Sequence, residues 1–142
     1  MKLWEKLRAR FSRPPLPEHL RRGAFGEKQA KSHRQKLGLK FLTANFKGDH
    51  GEIDLIFRDG DCLVFVEVKT RSSEEWTRPA AAVDARKRRL LSRTALAYVR
   101  LLKEPRVPLR FDIVEVLLVN GGEPLIRHLP NSFPMTQPYR HG

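Results

Sequence analysis

Cysteine is nearly absent. Cys62 is the only one in 142 residues, which excludes an intramolecular disulfide and fits a reducing compartment. It is expected to pack as a small apolar residue at the start of a strand. Long apolar runs are missing too. None approaches the roughly 18–20 residues of a membrane-spanning helix. The N-terminus lacks the continuous apolar core of a signal peptide, so the expected location is the cytoplasm. There is no CxxC, no HExxH and no GxxxxGK[ST], and His19, His33, His50, His128 and His141 are scattered. Zinc hydrolysis and P-loop phosphate chemistry therefore find no support. Acids are scarce: 16 Asp and Glu stand against 28 Lys and Arg, for a net charge of +12. Such an excess points to a polyanionic partner, nucleic acid first and an anionic membrane surface second. No internal repeat is visible, and the 40% hydrophobic content supports one domain with one core.

The most informative stretch runs from Gly51 to Arg71, GEIDLIFRDGDCLVFVEVKTR. Asp59-Gly60 between apolar runs predicts a β-hairpin. The second strand, Leu63 to Thr70, is β-branched and aromatic, as a buried central strand requires. Yet it carries Glu67 and Lys69, whose burial is costly unless something compensates them. If Asp59-Gly60 is the two-residue loop, Asp54 faces Phe65 and Glu52 faces Glu67. Asp54, Glu67 and Lys69 then share one face, with Asp54 and Glu67 as diagonal neighbours. Two carboxylates so placed can hold a hard cation. A three-residue loop would turn Asp54 away.

Around this hairpin the chain reads as a basic leader over 1–22, a domain over 23–133 and an irregular tail over 134–142. Leu3, Trp4, Leu7 and Phe11 recur in the leader at helical spacing before Pro14, Pro15 and Pro17, which suits a docking arm or a loosely ordered tail. Gly23 to Leu37 reads as a helix with a thin stripe of Ala24, Phe25, Ala30 and Leu37, ended by Gly38. Glu27 in its first turn either interacts with the helix dipole or reaches the metal pocket. Lys40 to Phe46 is a predicted strand. The irregular link 72–82 holds Trp76, which anchors the loop or stacks on a base. Asp84 reads as the N-cap of a helix to about Lys103, with Leu90, Leu91, Thr94, Ala95, Tyr98, Leu101 and Leu102 facing the core. Arg86, Lys87, Arg88, Arg89 and Arg93 crowd its start with no interleaved acid, which favours phosphate contact. Arg110 to Val119 and Leu125 to Leu129 complete the strands, with Asn120-Gly121-Gly122 as their turn. This order predicts an α/β fold, a small mixed β-sheet flanked by helices.

An acid, then Glu-x-Lys on a central strand, is the pattern that metal-dependent phosphodiester cleavage needs. Asp54 and Glu67 would bind Mg²⁺ or Mn²⁺, which polarises phosphate and lowers the pKa of a bound water. Lys69 would position that water or stabilise charge developing on phosphate. The alternative is an exposed edge pair of Glu67 with Lys69 or Arg71, worth little.

Several segments together resemble the YraN-like family of bacterial proteins. They are Gly23-x-x-Gly26-Glu27-x-x-Ala30, Gly38, Asn45, Gly51 to Ile56, Val64 to Arg71, Val83 with Lys87, Arg110-Phe111-Asp112 and His128 to Phe133. That family is similar to the restriction-endonuclease-like PD-(D/E)xK nucleases and, among them, to archaeal Holliday junction resolvases. The resemblance implies a restriction-endonuclease-like core. It implies that Glu27, Asp54, Glu67 and Lys69 are active-site positions, with Glu27 as a metal ligand or a support to one. It also leaves room for a homodimer, because resolvases cut two strands symmetrically. Lys47 and Arg71 join the helix cations as expected nucleic-acid contacts. Arg34 and His33 stand where the family usually has apolar and aromatic residues, and Lys47 where it usually has arginine.

The leading expectation is a Mg²⁺- or Mn²⁺-dependent DNA endonuclease of repair, recombination or DNA uptake, with branched DNA among its candidate substrates. The alternatives are a nucleic-acid-binding protein on the same fold that works through a partner, and an RNA- or ribosome-associated basic protein.

Overall fold

The computed structural model describes residues 18–49, 51–72, 83–103, 106–119 and 122–133. The leader before residue 18, Trp76 with its link, Asn120-Gly121 and the tail from 134 lie outside the described residues. The elements are α1 (Glu18–Lys36), β1 (Lys40–Lys47), β2 (Glu52–Asp59), β3 (Cys62–Ser72), α2 (Ala85–Leu102), β4 (Leu109–Leu118) and β5 (Leu125–Phe133). Helix α1 thus opens within the stretch assigned to the leader.

The strands form one mixed sheet in the order β1-β2-β3-β4-β5. The first three are an antiparallel meander. β3 and β4 are parallel, so the chain must cross over between them, and α2 lies in that crossover. β5 returns antiparallel to β4. This five-stranded sheet with two helices is an α/β fold consistent with the nuclease-like core.

The sheet is apolar on both faces. Leu55, Phe57, Val64, Val66, Val114 and Val116 form one layer with Ala30 of α1. Ile53, Ile56, Phe65, Phe111 and Ile113 form the other with Leu91, Ala95 and Val99 of α2. Because β3 and β4 are covered twice, they read as nearly continuous apolar runs. Among the described residues, no helix is long and apolar enough to cross a membrane.

The helix α2 matches its signals. Asp84 caps it by accepting the Lys87 N–H at 2.8 Å, and Lys103 ends it in a left-handed conformation, φ 58°. Its last turn differs from expectation: Leu101 and Leu102 are exposed rather than core-facing. The buried stripe runs instead through Leu91, Ala95 and Val99.

The stripe on α1 also differs. Phe25 and Leu37 are exposed, while Gly26, Ala30 and Arg34 are buried. These three recur every four residues, so they share one face. Two small residues let the helix approach the sheet closely. Arg34 then spans to β5, where its Nη1 donates to His128 Nδ1 at 2.6 Å. With Nδ1 accepting, His128 donates through Nε2 to the buried Asp112 at 2.8 Å, and Arg110 holds the same carboxylate at 3.2 Å. A helix lacking a broad apolar face is thereby fixed through a chain of polar contacts.

Candidate active site

The hairpin register differs from the expected one. Asp59 pairs with Cys62 and Leu55 with Val66, so the loop is Gly60-Asp61 rather than Asp59-Gly60. Gly60 takes φ 61°, the positive value that a tight hairpin asks of glycine. The shift is two residues, an even number, so the side chains of the paired stretch, Leu55 to Asp59 with Cys62 to Val66, keep their expected faces. Its effect is to place Asp54 level with Glu67 rather than with Phe65.

The ladder between β2 and β3 ends at Leu55 and Val66. Beyond it the Asp54 carboxylate accepts the Val68 N–H at 2.8 Å. Ile53 and Ile56 share a layer although they stand three apart, so the alternation of β2 slips at Asp54. On the other side, Ala44 pairs with Leu55 and Phe46 with Ile53. Asn45, level with Asp54, has a left-handed backbone, φ 54°, which asparagine tolerates better than most residues. Its side chain hydrogen-bonds Glu27. The three strands therefore open at one level, and their polar side chains gather there.

Glu27, Asp54, Glu67 and Lys69 line one open cleft of about 320 Å³, together with Arg22 and Thr70. The resemblance named these three acids and one base, and the fold brings them together. Helix α1 reaches the cleft because Gly26 lies against Thr70 of β3. A Cβ at Gly26 would fall 1.8 Å from Thr70 Oγ1. In an open helix, Gly→Ala gains about 1 kcal/mol; here the sign reverses. Gly26→Ala is expected to lose roughly 1–3 kcal/mol through overpacking, read as a lower urea midpoint. Adding Thr70→Ala should recover much of it. An unchanged midpoint in Gly26→Ala would show that the close approach is dispensable.

The electrostatics follow from burial and crowding. Burial, then the nearby Glu67 charge, pushes the Asp54 carboxyl up to about 8, against the opposing Val68 hydrogen bond. Glu27 is also raised, by burial and then by Glu52, with the Asn45 bond opposing. Glu67 is only 6% exposed and faces two ammonium groups, Lys87 Nζ at 2.5 Å and Lys69 Nζ at 3.4 Å. Lys69 lies below its ordinary value, through burial and then the adjoining Lys87 ammonium. Burial pulls Lys87 the same way, but the Glu67 contact outweighs it and leaves Lys87 raised.

Among the described residues, no three His, Cys, Asp or Glu side chains form a group that could hold a metal. Asp54 and Glu67 nevertheless offer hard oxygen donors within reach of one another. Mg²⁺ is usually held by one or two carboxylates plus waters and substrate phosphates, so this donor pair fits such an ion. Glu27, held by Asn45, stands as a support beside the pair.

The expected nucleic-acid contacts divide. Lys47, Arg86 and Arg89 are exposed, and Arg93 is partly buried. Arg88 Nε donates to the Val83 carbonyl at 2.9 Å, tying down the start of α2. Arg71 turns toward the buried Glu115, at 3.8 Å. Lys87, expected on phosphate, sits on Glu67. Sequence reasoning gave no role to Asn45 and no place in the site to Arg22. The signal for Asn45 was weak: one asparagine inside a strand, where β-propensity is low.

A chain from Trichlorobacter lovleyi, named UPF0102 protein, is 40% identical over 114 residues, covering 80% of this chain and 90% of its own. One from Rhodococcus opacus with the same name is 35% identical over 118 residues, covering 83% and 100%. A third, from Porphyromonas gingivalis, is 38% identical over 121 residues, covering 84% and 89%. The sequence model described as "Uncharacterised protein family UPF0102" matches residues 26–116, a span that holds every acid of the cleft together with Lys69 and Lys87. The chain belongs to the UPF0102 family.

Proposed function

We propose that this protein is a divalent-metal-dependent DNA endonuclease. The observation that carries the reading is the single cleft in which Glu27, Asp54, Glu67 and Lys69 meet. Asp54 and Glu67 would hold Mg²⁺ or Mn²⁺. When bound, that ion would polarise phosphate and acidify a water. Glu27, oriented by Asn45, would stand on the α1 side of the pair. Lys69 would meet the charge that develops on the scissile phosphate. Arg86, Arg89 and Lys47 would contact the backbone, in keeping with the net charge of +12. The work we assign to it is repair, recombination or DNA uptake in the cytoplasm, on DNA that includes branched forms, with a homodimer suited to symmetrical cuts.

The test is strand cleavage by the purified protein. Single-stranded, duplex, flapped and four-way-junction DNA would each be offered with Mg²⁺, Mn²⁺ or EDTA. Metal-dependent nicking is the expected result. One observation favours a second reading, a nucleic-acid-binding protein without turnover: Glu67 already has two lysines for partners. Tight binding with no nicking under any metal would select it.

A further inference from the structure

Glu67 has one cation more than a buried carboxylate requires. Lys69 comes from the same strand, two residues on, and its side chain is 20% exposed. Lys87 comes from the first turn of α2, with its side chain 39% exposed, and makes the shorter contact. We propose that Lys87 is the resident counter-ion of the Asp54–Glu67 pair: it holds Glu67 in the resting site, gives up that place to a divalent cation, and turns outward to meet the substrate phosphate. The inference rests on the nuclease reading and deepens it.

Charge requires that something move. A divalent cation between Asp54 and Glu67 adds two positive charges close to two ammonium groups, and the repulsion is large in a partly buried site. Lys69 is held by the central strand. Lys87 can swing: its backbone is fixed through the Asp84 cap at 2.8 Å, while its ammonium rests on Glu67 at the end of a flexible stem. A place to swing into exists. A second open groove, of about 290 Å³, is lined by Lys87 together with Glu52, Arg86 and Leu90. Glu52 on its rim attracts an ammonium, and Arg86 beside it is exposed. Lys87 lines this groove and contacts Glu67 in the first cleft, so it stands in the wall between the two. A nucleic-acid strand that spans both openings would meet Lys87 between them. One long, flexible side chain can therefore exchange a carboxylate for a phosphate as the site fills.

The experiment uses the full chain, stripped of metal, with Mn²⁺ binding followed by calorimetry. Lys87→Met keeps the apolar stem and removes the charge. It should bind Mn²⁺ about tenfold more tightly than the wild type, yet cut DNA at least about tenfold more slowly at saturating Mn²⁺. Lys87→Arg keeps the charge and should bind Mn²⁺ like the wild type. Equal or weaker Mn²⁺ binding by Lys87→Met overturns the proposal, and so does undiminished cleavage. If cleavage is metal-dependent while Lys87→Met binds Mn²⁺ as the wild type does, the counter-ion role fails and the nuclease reading stands. If neither protein takes up Mn²⁺, both fail.

Discussion

Asp54→Asn is expected to abolish metal-dependent cleavage and, in the absence of metal, to stabilise the fold at pH 8. The two effects have one cause. On the proposed reading, Asp54 is placed for a cation and not for the resting protein. Its carboxyl titrates near 8 in the fold against 3.8 ordinarily, because it is buried beside Glu67. Between those values the folded chain holds a proton that the unfolded chain has released. Stability from this group is therefore full below about pH 3.8 and is lost as pH rises toward 8. Asparagine has no charge to bury and keeps an oxygen for the Val68 N–H. At one pKa unit per 1.36 kcal/mol, and with about half of the effect lost to solvent screening at the open cleft, the gain at pH 8 should be on the order of 3 kcal/mol, or roughly 10 °C in melting temperature. At pH 5 only about a quarter of that gain should remain. Cleavage should fall by on the order of 10³-fold, since a metal ion supplies several kcal/mol of charge stabilisation. Thermal melts in EDTA at both pH values, beside the DNA assay, check the pair of effects. An Asp54→Asn protein that melts lower at pH 8 would contradict the electrostatic account, whatever its activity.

The second large effect lies on the neighbouring strand, where Glu115 stands level with Lys69. Glu115 is fully buried in β4. Arg127 is its register partner on β5, with Nη2 at 2.5 Å and Nε at 3.1 Å from Oε2. The other oxygen, Oε1, has no hydrogen bond and faces Arg71 at 3.8 Å. Arg127→Ala would leave that carboxylate with the Arg71 contact alone, an outcome that costs about 3–5 kcal/mol. Glu115→Met should cost much less, because Arg127 is 34% exposed and can turn to water, while methionine fills the space. The double variant should resemble Glu115→Met. Urea unfolding of the three proteins reads the cycle. If Arg127→Ala proves no worse than Glu115→Met, the penalty does not come from a stranded charge.

The parts of this protein that were legible in the sequence are those with a local cause. The hairpin announced itself through Asp59 and Gly60 between apolar runs, and the facing of Asp54 and Glu67 survived a register error because the error was even. The α2 N-terminus followed from Asp84, whose side chain bonds within one turn. Arg34, Asp112 and Glu115 were different. Their burial depends on His128 and Arg127 of β5, far along the chain, and no window of sequence around them carries that fact. The stripe on α1 was misread for a related reason. Phe25 and Leu37 look like core by hydrophobicity, whereas Gly26 and Arg34 face inward for close approach and for reach. Lys87 was read as one member of a basic run. Only the seating of α2 against the sheet shows that it lies on Glu67.

Helix α1 meets β3 most closely where Gly26 lies on Thr70, packs Ala30 onto the sheet and is tethered by Arg34 to His128 of β5. Glu27 follows Gly26 directly, so the tightest point between helix and sheet is also the point from which an acid enters the cleft. The position of that acid is thus set by the approach of two backbones rather than by side-chain reach.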